Sequence, residues 1–183
     1  MGELIFSEEP FWVFNKKTEI TLLIKEHYKK INKLMNLSPV TKHVHIDASN
    51  ISEYMDVIMD KIDNNCFAIS LEENGLLYMG SFFNHSCDPN VIYYYLNGKM
   101  HFVAYKNVKV GEELCISYTE FSRTTDYIQR GKKLKNWNFS CRCQKCKDEI
   151  LQSINNCIGS YRRLYDDTTV VDFVPKIYEL FLS

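Results

Sequence analysis

The sequence predicts an α+β chain in which helices precede a set of short antiparallel strands. Three observations carry that expectation. Apolar residues recur at helical spacing up to Ile62, an Asn-Gly pair sits between two apolar runs, and beyond Asn64 the apolar runs become short and punctuated by turn residues.

From Thr18 to Leu37, Ile24, Tyr28, Ile31 and Met35 share one face while lysines fill the other, which predicts a first helix. Pro39 separates it from a second over Ile51 to Ile62, where Ile51, Met55, Ile58 and Ile62 line up and Asn50 with Glu53 is placed for a capping box. Cys66 to Leu71 and Leu76 to Phe83 then read as strands around a turn at Glu73-Asn74-Gly75. Val91 to Leu96, Asn97-Gly98 and Lys99 to Ala104 form a hairpin signal, since Asn-Gly accepts the two positive φ angles of a type I′ turn. A turn at Val110-Gly111-Glu112 leads to a strand over Leu114 to Tyr118. Gln129 to Asn136 reads as a short basic helix, and one or two helices follow from Glu149 to Leu182, interrupted near Gly159 and Pro175.

With 183 residues, 45% of them hydrophobic, the chain can bury a core of ordinary size. A formal charge of −1 supplies no overall field toward nucleic acid or anionic lipid. No run reaches the ~18 apolar residues of a membrane span, and the first fifteen residues carry Glu3, Glu8 and Glu9 where a signal peptide would be basic and then apolar. The expectation is a cytosolic or nuclear protein with no membrane partner; oligomeric state leaves no mark on the sequence.

Seven cysteines include Cys141, Cys143 and Cys146 within six residues, a pattern of metal binding in a reducing compartment rather than of disulfides. Zinc asks for four ligands, and one is missing locally. Cys87 is the expected fourth: it lies among turn-forming residues in the run FFNHSCDPN (82–90), whereas Cys66 and Cys115 lie in apolar strand runs and read as small core residues.

These pieces resemble the SET-domain protein lysine methyltransferases, most closely the branch joining SET to a MYND finger. The resemblance runs from Asn64 to Cys146 through NNCFAI, FFNHSCDPN, GEELCISY and NWNFSCRCQKC, with a weaker echo at Gly2-Glu3-Leu4-Ile5-Phe6. It implies a SET fold of short antiparallel strands with a pseudoknot near 84–90. The expected organisation is an early strand region (1–17), an inserted helical segment (18–63), a SET core (64–122), a post-SET zinc region (123–148) and a short helical tail (149–183). It also implies S-adenosylmethionine as cofactor and a lysine-bearing protein or peptide, histone or not, as substrate. Asn65, Asn84 and His85 would bind the cofactor through side-chain or backbone groups, Phe67 would line the lysine channel, and Tyr118 would place its hydroxyl beside the transferred methyl. Trp137 and Phe139 would cover the adenine or close the channel.

Each role has a plainer alternative at this point. Tyr118 can be a half-buried strand residue, Asn84 and His85 turn caps, and Phe67, Trp137 and Phe139 core aromatics, because burial and channel lining ask for the same residue types. The basic residues Arg130, Lys132, Lys133, Lys135, Arg142, Lys145 and Lys147 read as a solvated face. The family's opening Gly-x-Gly turn and its cysteine-rich finger have no counterpart here, so the chain reads as a shortened product or a piece of something longer. A zinc-stapled interaction module without catalysis is therefore the second functional reading, and a zinc-dependent nucleic-acid binder is disfavoured by charge and by the single cysteine cluster.

Overall fold

A computed structural model of the chain describes residues 2–17, 24, 27–36, 45–119 and 125–165. The elements are β1 (Leu4–Glu8), β2 (Trp12–Asn15), α1 (Tyr28–Met35), α2 (Met55–Asn65), β3 (Cys66–Ala68), β4 (Glu73–Leu76), a 3-10 turn (Gly80–Phe82) and β5 (Asn84–His85). They continue with β6 (Val91–Leu96), β7 (Lys99–Ala104), β8 (Cys115–Ile116), α3 (Tyr127–Leu134), a second 3-10 turn (Lys135–Trp137) and α4 (Gln144–Tyr165). This is the α+β mixture of small antiparallel sheets that the sequence predicts. The described residues fall into two compact units, one drawn from 2–84 and 90–116, the other from 85–89 and 117–165.

In the first unit one sheet has the order β1-β7-β6 and another β2-β4-β3. The hairpin of β6 and β7 turns in two residues, with Leu96 opposite Lys99. Asn97 at φ 50° and Gly98 at φ 80° supply the two left-handed residues that the Asn-Gly pair predicts. Trp12 and Phe14 on β2, Ile31, Leu34 and Met35 on α1, Ile58 and Ile62 on α2 and Leu76 on β4 are buried together, so both helices spend their apolar face on the same core. Asn32 ties α1 to the following segment, its amide accepting from the Ile46 N–H at 2.8 Å and donating to the Ile46 carbonyl at 2.9 Å.

Several local expectations need correction. The second helix starts at Met55, not Ile51, and Asn50 closes a turn instead of a capping box. Its side chain accepts from the Asp47 N–H and donates to the His45 carbonyl. Glu73-Asn74-Gly75 is strand β4; the turn falls earlier, where the Ser70 hydroxyl accepts from the N–H groups of Glu72 and Glu73. At Gly75 the backbone passes close to its neighbour, where a Cβ would sit 3.0 Å from the Cβ of Pro10. The strand expected over Leu76 to Phe83 ends at Leu76. Beyond it the Glu8 carboxylate accepts from the N–H groups of Tyr78, Met79 and Gly80 at 2.7 to 3.1 Å and bends the chain into the first 3-10 turn.

In the second unit α3 is capped by Asp126, whose carboxylate accepts from the Gln129 N–H at 2.8 Å. After the second 3-10 turn Asn138 takes the left-handed conformation, φ 55°, one of the few open to a non-glycine residue with a short polar side chain. α4 begins at Gln144 and runs 22 residues without a break at Gly159, because one glycine costs a long helix only about 1 kcal/mol. Expectations over 18–23, 25–26, 37–44, 120–124 and 166–183, Pro175 included, lie outside the described residues. Among the described residues no helix is long and apolar enough to cross a membrane.

Candidate functional site

The sulfur atoms of Cys87, Cys141, Cys143 and Cys146 lie within 4.8 Å of one another, three of the residues buried and Cys143 half-buried. The distant thiol and the late trio therefore meet, and the group can hold a metal ion. Cys141 and Cys143 come from the loop after Asn138, whereas Cys146 sits on the first turn of α4, so the trio is not one continuous loop. Leu134 is buried with the cysteines, and Tyr118, Tyr127 and Trp137 pack around them.

Four thiols this close cannot ionise independently. Contact with Cys143, Cys146 and Cys87 holds the Cys141 thiol far below the ordinary cysteine range. For Cys143, contact with Cys141 raises the value but contacts with Cys146 and Cys87 outweigh it, leaving it at about 5. Cys87 and Cys146 are pushed well above the ordinary range, in both cases first by Cys141 and then by Cys143. Four thiolates at once would need a cation among them.

Arg130 belongs to this group, contrary to its reading as part of a solvated basic face. It is 4% exposed, and its guanidinium donates to Cys146 Sγ at 3.5 Å, to the Glu149 carboxylate at 2.9 Å and to the Thr125 carbonyl. Burial works against its charge, yet the bonds to Glu149 and to the sulfurs more than compensate, and the group stays protonated. The signal in the sequence is spacing: Arg130 lies one helical turn before the buried Leu134 on α3, away from exposed Lys132 and Lys133.

Beside the sulfur group the second unit gathers aromatic rings. The Tyr118 ring lies 5.4 Å from that of Trp137 and, edge-on, 6.2 Å from that of Phe139. His85 stands 5.3 Å from Tyr118 and 5.8 Å from Phe139, ring centre to ring centre. Its Nδ1 accepts from the Tyr118 backbone N–H at 3.0 Å. Tyr118, His85, Trp137 and Phe139 are thus one cluster, with Tyr118, His85 and Trp137 half-buried and Phe139 at the exposed edge.

The remaining residues singled out from the sequence lie in the first unit. Asn65 ends α2 and turns its amide back onto the Lys61 carbonyl at 2.7 Å. Phe67 on β3 is buried, edge-on to Tyr93 at 5.2 Å and Phe102 at 6.0 Å. Asn84 is exposed and donates to the Glu113 carboxylate at 2.6 Å. Sequence reasoning missed Asn90, whose buried side chain accepts from the Cys115 N–H and donates to the Glu113 carbonyl, both at 2.8 Å, fixing the start of β6 to β8.

The SET domain family model matches residues 2–119. A SET and MYND domain-containing protein of Dictyostelium discoideum is 44% identical over 80 residues, 42% of this chain and 15% of that protein. Histone-lysine N-methyltransferase SET5 of Eremothecium gossypii is 44% identical over 79 residues, 42% of this chain and 16% of that protein. Protein-lysine N-trimethyltransferase SMYD5 of Mus musculus is 34% identical over 106 residues, 53% of this chain and 26% of that protein. The matched segments are thus about a quarter or less of these relatives' own length. With most of its length under one family model, and with small antiparallel sheets as expected, the chain belongs to the SET-domain family.

Proposed function

We propose that the chain is a protein-lysine N-methyltransferase module that moves a methyl group from S-adenosylmethionine to a lysine side chain of a protein. One observation carries the reading: Tyr118 is held from two sides, its backbone N–H by His85 and its ring by Trp137 and Phe139, so a single phenol is fixed among aromatic rings. The names of the relatives support the substrate class.

S-adenosylmethionine supplies the methyl, carried on a sulfonium, and the hard chemistry is its own. The chain's part is to hold the acceptor amine in line and to keep it neutral. A lysine with a reference pKa of ~10.4 costs roughly 4 to 5 kcal/mol to deprotonate at pH 7, and an aromatic surround lowers that cost by disfavouring the ammonium. Trp137 and Phe139, with Phe67, are the residues we assign to that surround, and the Tyr118 hydroxyl to the position beside the methyl. Asn65, Asn84 and the backbone at His85 are assigned to the cofactor.

Zinc suits the four-cysteine group. A tetrahedral ion with Zn–S bonds of ~2.3 Å sets sulfurs about 3.8 Å apart, a spacing that a group no wider than 4.8 Å reaches with small shifts. With four protein ligands there is no open position, so the ion would be structural, holding the 85–89 segment to the loop and helix that carry the other three cysteines.

Calorimetry with S-adenosylmethionine tests the reading first, and binding is expected. Tyr118→Phe should then keep cofactor affinity near the parent value and cut lysine methylation of a protein mixture at least tenfold. Unchanged turnover would remove Tyr118 from the mechanism, and absent binding at saturating cofactor would leave a metal-stapled interaction module.

A further inference from the structure

Both ring nitrogens of His85 are engaged inside the protein. Nδ1 lies 3.0 Å from the backbone nitrogen of Tyr118, and a peptide N–H only donates, so Nδ1 carries the lone pair and the ring proton sits on Nε2. Nε2 lies 3.2 Å from Cys87 Sγ, within range of an N–H···S bond. A single neutral tautomer satisfies both contacts. The opposite tautomer would set two N–H groups against each other at Tyr118.

We infer that His85 is a positioning residue whose imidazole ties the sulfur of Cys87 to the backbone of Tyr118, so that metal occupancy and the pose of the tyrosine are set together. The inference rests on the proposed function only where it gives Tyr118 a part in methyl transfer; the chain of bonds stands without it. A metal held by Cys87 would fix the position of its sulfur, and with it the imidazole bonded to that sulfur. The segment between is short and closed on itself: Ser86 is buried, and its hydroxyl accepts from the Asp88 N–H at 3.1 Å. Movement at Cys87 therefore reaches His85 with little slack. With both nitrogens used, the imidazole has no hydrogen bond left for a cofactor, and only the backbone and the ring face of His85 remain for one.

Two substitutions separate the two bonds. His85→Asn sets an amide oxygen where Nδ1 was and leaves nothing at Cys87; His85→Gln sets an amide N–H where Nε2 was and leaves the Tyr118 N–H without its acceptor. In the full chain loaded with cadmium-113, metal affinity is read by chelator competition and Tyr118 amide exchange by NMR. His85→Asn is expected to bind metal about tenfold more weakly with Tyr118 exchange near the parent rate. His85→Gln is expected to keep parent affinity while Tyr118 exchanges roughly five- to tenfold faster. In the parent, the imidazole spectrum should show the Nε2-protonated tautomer with its proton coupled to cadmium, and stripping the metal should speed Tyr118 exchange. Loss of both properties by both variants, a ring protonated on Nδ1, or a Tyr118 amide indifferent to metal removal would each overturn the inference. The parent spectra decide alone if a variant fails to fold. None of these measurements involves methyl transfer, so a failure of the enzyme reading at Tyr118→Phe would leave the link standing.

Discussion

Replacing Cys87 by alanine removes the one ligand that is distant in sequence and leaves the local trio intact. The positions differ by 141 − 87 = 54, so a metal joining the four sulfurs closes a loop of about 55 residues in the folded chain. In the chain-entropy treatment of cross-links such a closure is worth about 4 kcal/mol at 25 °C. With a urea slope of about 2 kcal/mol per molar for a chain of this size, the unfolding midpoint should fall by about 2 M. Urea titration of metal-loaded, reduced protein measures this, with metal content determined on the same samples. Cys157→Ala is the control, since Cys157 is exposed and outside the group. The trio should still take up metal, more weakly, with a water completing the set. Chelation should lower the midpoint of the parent by a similar amount and that of Cys87→Ala by much less. A Cys87→Ala chain with the midpoint and metal affinity of the Cys157→Ala control would refute the shared site and the stapling role with it.

Two further outcomes follow from the first unit. Glu8→Gln keeps the shape of the side chain but removes the charge that three backbone N–H groups share; with a part-exposed carboxylate the loss is about 1 to 2 kcal/mol, seen as a fall in Tm of roughly 3 to 6 °C, and an unchanged melt would show the 78–80 turn forms without it. Burial raises the Cys66 thiol first and the nearby Asp63 charge adds to it, and burial likewise raises the Tyr93 phenol. Groups whose values are raised on folding give stability that is whole below their unfolded pKa and lost as pH rises. Stability should therefore decline from about pH 8.5, where an unfolded thiol ionises, and further past about pH 10 for the tyrosine. Cys66→Ala should flatten the first part of that decline in urea titrations run across the range, and an identical profile would remove Cys66 as its source.

What was legible in the sequence was local or periodic. The Asn97-Gly98 turn requires two positive φ angles, and no other reading of that dipeptide between apolar runs competes with it. The apolar stripe of Ile31 and Met35 marks a helix face whatever it packs against. Cys87 was reached by elimination, because its rivals lay in strand runs. What stayed illegible depends on partners far along the chain. Glu8 is one of several early carboxylates until residue 78 comes to meet it, and Glu73-Asn74-Gly75 has turn chemistry that pairing with β2 and β3 overrides. Arg130 hid in a run of lysines because its burial is decided by the sulfurs and Glu149, not by its neighbours.

The run FFNHSCDPN shows the limit of reading polarity from composition alone. Seven successive residues after a buried phenylalanine would pass for a solvated loop, yet Ser86, Cys87 and Asn90 are buried. Burial of polar groups is tolerable only when each is matched. Asn84 is matched by Glu113, His85 by the Tyr118 peptide and Cys87, Ser86 by the Asp88 N–H, Cys87 by three other thiols, and Asn90 by Glu112, Glu113 and Cys115. Every one of those partners except the Ser86 to Asp88 turn and the His85 to Cys87 bond is more than twenty residues away. Such a segment cannot hold its shape until the distant parts have arrived, so the same polar residues that would serve a cofactor or metal are also the ones that make the fold conditional on completing the site.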